Sequence, residues 1–120
     1  MGKIKRFEDI QSWKKARELT NSIYKATSNK PFNKDFGLRD QIQRSSVSIM
    51  ANIAEGFDTE TDADFIRFLR YGFRSTTEVQ SHLYVALDQK YITKDEFNKI
   101  YSAAEEVKSL ISGFIRYLKS

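Results

Sequence analysis

Pro31 is the only proline in 120 residues, and the chain carries only five glycines besides. So little punctuation leaves long uninterrupted stretches, and the last of them constrains the fold most. Phe97, Ile100, Ala104, Val107, Ile111, Phe114 and Leu118 alternate spacings of three and four, the seam of helices crossing at about 20°. Its start is marked twice. Thr93 and Glu96 have the spacing of a capping box, and Ile92 and Phe97 that of a hydrophobic staple. A helix over about 94–119 is predicted.

Three further helical patterns precede it. In the first, about 9–28, Trp13, Ala16, Leu19, Thr20, Ile23, Ala26 and Thr27 share a face opposite Lys14, Arg17, Asn21 and Lys25. Asn29-Lys30-Pro31 ends it, because proline cannot continue the hydrogen-bond ladder and pushes the preceding residue out of the helical region. The second, about 38–56, follows Gly37 and closes at Gly56, where glycine can take the left-handed conformation of a C-terminal cap. The third, about 61–90, starts at Thr61, with Asp64 at capping-box spacing, and its core stripe runs from Phe65 through Leu69, Thr76 and Val79 to Leu87. Gly72 lies in that stripe at a cost of about 1 kcal/mol in helix propensity, so close helix approach is its expected use. Four long helices with short loops predict an all-α, antiparallel up-down-up-down four-helix bundle, one domain over residues 1–120.

The absence of cysteine excludes a disulfide framework, a thiol nucleophile and cysteine-ligated zinc. No apolar run approaches the roughly 20 residues that span a bilayer, and the polar start lacks the apolar centre of a signal peptide. Arg6 occupies the position where myristoylation needs Ser or Thr. A cytoplasmic, membrane-free protein is expected. Residues 1–30 hold eight Lys or Arg against three acidic residues, whereas the rest of the chain is about neutral. A basic first helix suits an anionic partner such as nucleic acid; a solvated helix face accounts for it equally.

The second helix is unusual in having two apolar stripes. Leu38, Ile42, Ser45, Ile49 and Ile53 fall on one side, and Val47, Met50, Ala51 and Ala54 roughly opposite. One stripe serves the core, so the other suggests contact with a further helix or a second copy. Val47, Met50 and Ala54, with Ile66, Phe73 and Tyr84 beside the core stripe of the third helix, are the candidate oligomer interface. Between the stripes run Gln41, Arg44, Ser48, Asn52 and Glu55. A carboxylate near an arginine and an amide can do acid–base work, but no nucleophile or metal set accompanies them. They are expected to form a buried, hydrogen-bonded structural network, with no catalytic residue.

Other site chemistries fail on spacing. A di-metal bundle site needs Glu-x-x-His pairs, and His82, the single histidine, has no glutamate three residues before it. Asp58, Glu60, Asp62 and Asp64 have the alternation of a calcium loop, yet Ala63 stands where its glycine belongs and Leu69 where its last carboxylate belongs. No metal or cofactor is expected. Arg67, Arg70 and Arg74 lie together opposite the core stripe, flanked by Tyr71 and Phe73; guanidinium groups pair phosphates, and rings stack on bases. The competing reading is a solvated face with Arg74 paired to Glu78. With Lys14, Arg17 and Lys25 of the first helix, these arginines are the candidate nucleic-acid contacts.

Arg44 to Phe57, above all Asn52-Ile53-Ala54-Glu55-Gly56, resembles the signature of four-helix-bundle proteins encoded in intervening sequences of bacterial 23S ribosomal RNA genes. Phe7-Glu8-Asp9-Ile10 with Trp13, Lys15 and Ala16 resembles that family's opening, and Phe65 to Leu69, Gly72, Ser75 and Glu78 its third helix. The resemblance implies a non-enzymatic, oligomeric nucleic-acid-binding protein, a homopentameric ring associated with RNA. It also implies an alternative, since similar bundles are accessory proteins of diversity-generating retroelements that bind a reverse transcriptase as well as nucleic acid. A purely structural protein–protein assembly module is a third reading. The acidic stretch after Gly56 departs from the more glycine-rich or basic loop of the family.

Overall fold

The computed structural model describes residues 4–120, which form α1 (Gln11–Thr27), α2 (Phe36–Phe57), α3 (Asp62–Asp88) and α4 (Lys94–Lys119), with 3-10 turns at Phe7–Asp9 and Phe32–Lys34. A helix as long as α3 rises about 40 Å, and the body measures 45 × 22 × 19 Å. The helices therefore run along its length. Each packs on its neighbours in sequence, and α1 closes the ring onto α4.

Contacts across the seams give the directions. Gly56 lies against Phe65 while Ser48 meets Ser75, so α2 and α3 are antiparallel. Phe65 packs on Phe114 while Tyr84 packs on Phe97, so α3 and α4 are antiparallel as well. Gln43 donates to Thr27 at 2.9 Å and Thr20 to the carbonyl of Ser46 at 3.2 Å, which reverses α1 against α2. The chain forms the expected all-α antiparallel four-helix bundle. Its buried residues make one cluster, with Leu19 and Ile23 from α1, Ile42, Ile49 and Ile53 from α2, Leu69 and Leu83 from α3, and Val107 and Ile111 from α4. No helix among the described residues is long and apolar enough to cross a membrane.

The helix ends show which local signals hold. Thr93 and Glu96 complete a reciprocal capping box, with bonds of 3.1 and 2.8 Å, and Ile92 and Phe97 are both buried beside it. Thr61 accepts from the Asp64 amide at 3.1 Å, but Asp64 turns its carboxylate to Arg67 at 3.4 Å, so only half of that box forms. The first helix begins at Gln11, after the 3-10 turn, and α2 begins at Phe36, because Asp35 caps it by accepting from the Leu38 amide at 3.1 Å. Gly37 thus falls inside the first turn.

Two glycines have uses other than those expected. Gly56 is helical, and no described glycine has positive φ, so it is not a left-handed cap. It is where α3 crosses closely over α2: a Cβ there would lie 2.8 Å from both Phe65 Cδ1 and Phe68 Cβ. Gly72, expected to permit close approach, is less crowded. A Cβ there would sit 3.6 Å from the Ile49 carbonyl oxygen and 3.7 Å from Ile53 and Ile111, ordinary contact distances. The left-handed position belongs instead to Lys90, with φ 62°. Tyr91 N–H donates to Ala86 O at 2.9 Å and Lys90 N–H to Leu87 O at 3.0 Å, the paired bonds of a Schellman motif in which glycine is the usual residue.

Candidate nucleic-acid interface and oligomer faces

The polar stripe of α2 contracts in the folded chain. Ser48 Oγ and Ser75 Oγ lie 3.0 Å apart, and Asn52 Nδ2 donates to the Ser48 carbonyl at 2.9 Å and to its hydroxyl at 3.0 Å. Gln41, Arg44 and Glu55 are exposed, and their side chains make no hydrogen bond or ion pair among the described residues. The expected five-membered buried network is a three-residue one, Ser48, Asn52 and Ser75. At 100° per residue Arg44 and Glu55 lie on the side of Ser48 away from Asn52 and reach solvent, whereas Gln41 falls between those two in angle and is exposed two turns nearer the helix start.

The six apolar positions expected to form one oligomer face divide into two groups. Val47 is exposed on the outer side of α2, with Met50 and Ala54 half-buried beside it. Val47 shares a shallow groove with Ala51 and with Tyr24 of α1. Ile66, Phe73 and Tyr84 face the α3–α4 seam of their own chain. Ile66 and Phe73 pack against the core, Lys108 Nζ stands 4.9 Å over the Phe73 ring, and the Tyr84 ring lies 4.9 Å from Phe97 and 5.7 Å from Tyr101. Ile66 and Phe73 are thus half-buried within the fold, whereas Tyr84 stays 50% exposed, as Val47 does at 44%, so apolar surface remains both on the outer stripe of α2 and at the Tyr84 end of α3.

The candidate cations also separate. Lys14, Arg17 and Lys25 of α1 are exposed, but Lys14 and Arg17 share a concavity with Glu8, Asp9 and Glu18. Lys15 bridges Glu106 at 3.2 Å and Glu18 at 3.5 Å, and hydrogen bonding to Glu106 is the main cause holding its ammonium above the usual lysine pKa. Lys25, in the last turn of α1, complements the negative end of the helix dipole. Of the α1 cations only Lys15 is in an ion pair among the described residues; Lys14, Arg17 and Lys25 have no carboxylate within ion-pair distance, although Glu8, Asp9 and Glu18 share the concavity of the first two.

On α3 the three arginines differ. Arg67 bonds to the Tyr71 hydroxyl and to Asp64, each at 3.4 Å, and lies 4.9 Å over the Phe68 ring. Its Tyr71 and Asp64 bonds, in that order, raise its pKa. Arg70 and Arg74 are exposed, and no carboxylate lies within ion-pair distance of either among the described residues; Arg74 stacks on Tyr71 at 5.8 Å. The Arg74–Glu78 pair is not formed.

Arg70 and Arg74 border a groove of about 250 Å³ floored by Phe73 and closed on the α4 side by Ser112 and Ile115. Lys108, one turn before Ser112, reaches over Phe73 and donates to Gln80 Oε1 at 3.1 Å. Sequence reasoning missed Lys108 and Ser112. The available signal was their spacing of four beside the Val107–Ile111 seam, which places them where α4 meets α3. Fixed cations around an apolar floor can bind an anion that carries an apolar or aromatic part. No group of three or more His, Cys, Asp or Glu among the described residues is arranged to hold a metal ion.

Comparison with curated proteins gives no match. Among solved structures, a protein of unknown function from the S23 ribosomal protein family of Bacteroides thetaiotaomicron is similar at 30% identity, with a TM-score of 0.79 over 87% of this chain and 97% of that one. The model of the family described as 23S rRNA-intervening sequence protein matches residues 8–113, a span that takes in all of α1, α2 and α3, the Asn52–Gly56 tract and most of α4. The chain belongs to the 23S rRNA-intervening sequence protein family.

Proposed function

We propose that this chain is a non-enzymatic, cytoplasmic, oligomeric nucleic-acid-binding protein whose ligand is RNA associated with the 23S rRNA intervening sequence. The observation that carries this reading is the α3 face, where Arg70 and Arg74 present uncompensated guanidinium groups beside Tyr71 and Phe73. Such groups pair phosphate oxygens bidentately. One copy supplies few phosphate contacts, and an assembly repeats them along a single polyanion, so multivalency makes weak contacts effective. A five-membered ring is what the family resemblance implies, and the outer stripe of α2 around Val47 is the surface on which copies would meet.

The test is RNA binding by the parent and by the Arg67/Arg70/Arg74→Ala protein across a salt series, at matched oligomeric state. Log affinity of the parent falls with log salt at a slope of about 0.7 per neutralised phosphate for single strands, and the triple variant has a lower affinity and a shallower slope. Equal curves remove α3 from the site.

One observation favours a second reading, a protein-assembly module whose partner is a reverse transcriptase or another protein. Tyr24 and Val47 are 46% and 44% exposed on adjacent helices, an apolar pair that a protein surface covers as readily as a second copy does. Capture by this face is insensitive to salt, unlike phosphate binding.

A further inference from the structure

We propose that the α3–α4 groove is a seat for the phosphodiester backbone of a single RNA strand, built by Arg70 and Arg74 from one side and by Lys108 and Ser112 from the other. The inference rests on the nucleic-acid reading above and gives it a place and further residues. On each helix the two residues are one turn apart, about 5–6 Å between Cβ atoms. Arg70, Arg74 and Ser112 line the groove with Phe73, and Lys108 stands over the Phe73 ring beside it, so the donors come from two helices rather than from a stripe on one.

Three features make this a built site rather than a charged surface. The amine of Lys108 is held by a neutral acceptor, Gln80 Oε1 at 3.1 Å, and by the face of Phe73 at 4.9 Å, so its orientation is set by uncharged partners. Gln80 is itself only 4% exposed, which fixes that anchor in the core. The Ser112 hydroxyl makes no hydrogen bond to any described residue, and unlike Ser22 and Ser102, which are exposed and equally unbonded, it is half-buried and lines the groove. It remains free to donate to a phosphate oxygen. Phe73, packed against the core and capped by Lys108, supplies an apolar floor against which the edge of a sugar can rest. Beyond Ser112, Arg116 and Lys119 continue the cationic line into the last turn of α4. The α1 surface has no comparable arrangement, because Glu8, Asp9 and Glu18 stand among its cations.

The experiment measures binding of the full chain to a uridine homopolymer of about 20 nucleotides across a salt series, comparing Ser112→Glu, Lys108→Gln and Lys108→Arg with Ser22→Glu. Ser22 is exposed on α1, the helix diagonal to α3, so its variant makes the same charge change away from the groove. Melting temperature and oligomeric state are matched first. Ser112→Glu is expected to weaken binding about tenfold or more, and Lys108→Gln to reduce the salt slope by about the contribution of one phosphate. Lys108→Arg is expected to restore the slope, and Ser22→Glu to change little. Equal weakening by Ser112→Glu and Ser22→Glu identifies a diffuse field and overturns the seat. Parent-like behaviour of both groove variants, with binding lost in the Arg67/Arg70/Arg74→Ala protein, overturns the seat and leaves the nucleic-acid reading standing. Failure of the parent to bind RNA at low salt overturns both and favours a protein partner.

Discussion

The Tyr91 hydroxyl donates to Asp35 Oδ2 at 3.0 Å, while the other carboxylate oxygen of Asp35 caps α2 at the Leu38 amide. One carboxylate thus ties the α3–α4 loop to the start of α2, 56 residues away in sequence. Phe32 stacks on the same tyrosine ring at 5.1 Å. The loop on one side of the bundle and the helix entry on the other are therefore held together at this end.

This bond gives stability a pH dependence. Hydrogen bonding to Asp35, then burial, raises the Tyr91 pKa above its ordinary value. A raised folded-state pKa means that the contribution is fully present below the unfolded value of about 10 and is lost as pH rises through the folded one. Thermal melts of the parent from pH 8 to 11 should fall more steeply at the alkaline end than those of Tyr91→Phe, which starts lower at neutral pH. Parallel curves refute the coupling.

Glycine to alanine should act in opposite directions at two positions. At Gly56 the new Cβ meets Phe65 and Phe68 at 2.8 Å, and overpacking costs about 1–3 kcal/mol. At Gly72 the methyl group fits, and the gain in helix propensity is up to about 1 kcal/mol. Chemical denaturation of the two variants decides this, and destabilisation at Gly72 shows that the α2–α3–α4 contact cannot accept a methyl group.

Lys90→Gly should stabilise the chain. Left-handed backbone at a residue with a Cβ costs about 1 kcal/mol, and Lys90 holds φ 62° without a side-chain bond among the described residues. Removing the Cβ relieves that cost while both Schellman bonds remain. A lower melting point for Lys90→Gly than for the parent runs against this account.

Glu55 and Ser75 should contrast. Glu55 is exposed and bonded to nothing among the described residues, so Glu55→Ala changes stability by no more than about 0.5 kcal/mol. Ser75 is 8% exposed and shares its hydroxyl with Ser48 at 3.0 Å, so Ser75→Ala costs about 1 kcal/mol. Circular-dichroism melts at fixed protein concentration compare them. A large loss for Glu55→Ala that depends on concentration places Glu55 between copies.

Local chemistry was legible in the residues themselves. The Phe97–Leu118 seam, the Thr93–Glu96 box and the Thr61 cap depend on partners within four residues, and periodicity alone put Ile49, Leu69 and Val107 in the core. The Asn52–Gly56 tract was enough to suggest the family. What sequence could not decide is everything set by how one helix rotates and slides against the next. Gly56 stands at the helix end as its sequence position suggests, but the crossing of α3 and not a left-handed cap is its use; Glu55 is exposed once α2 is packed; and of the α1 cations Lys15 is paired with Glu106 of α4. Phe73 has the position of an interface residue on its own helix, and only the α3–α4 register sets Lys108 over it. Helix propensity and capping act over one turn, whereas a groove between helices is set by side-chain packing across the core, where contacts join residues tens of positions apart.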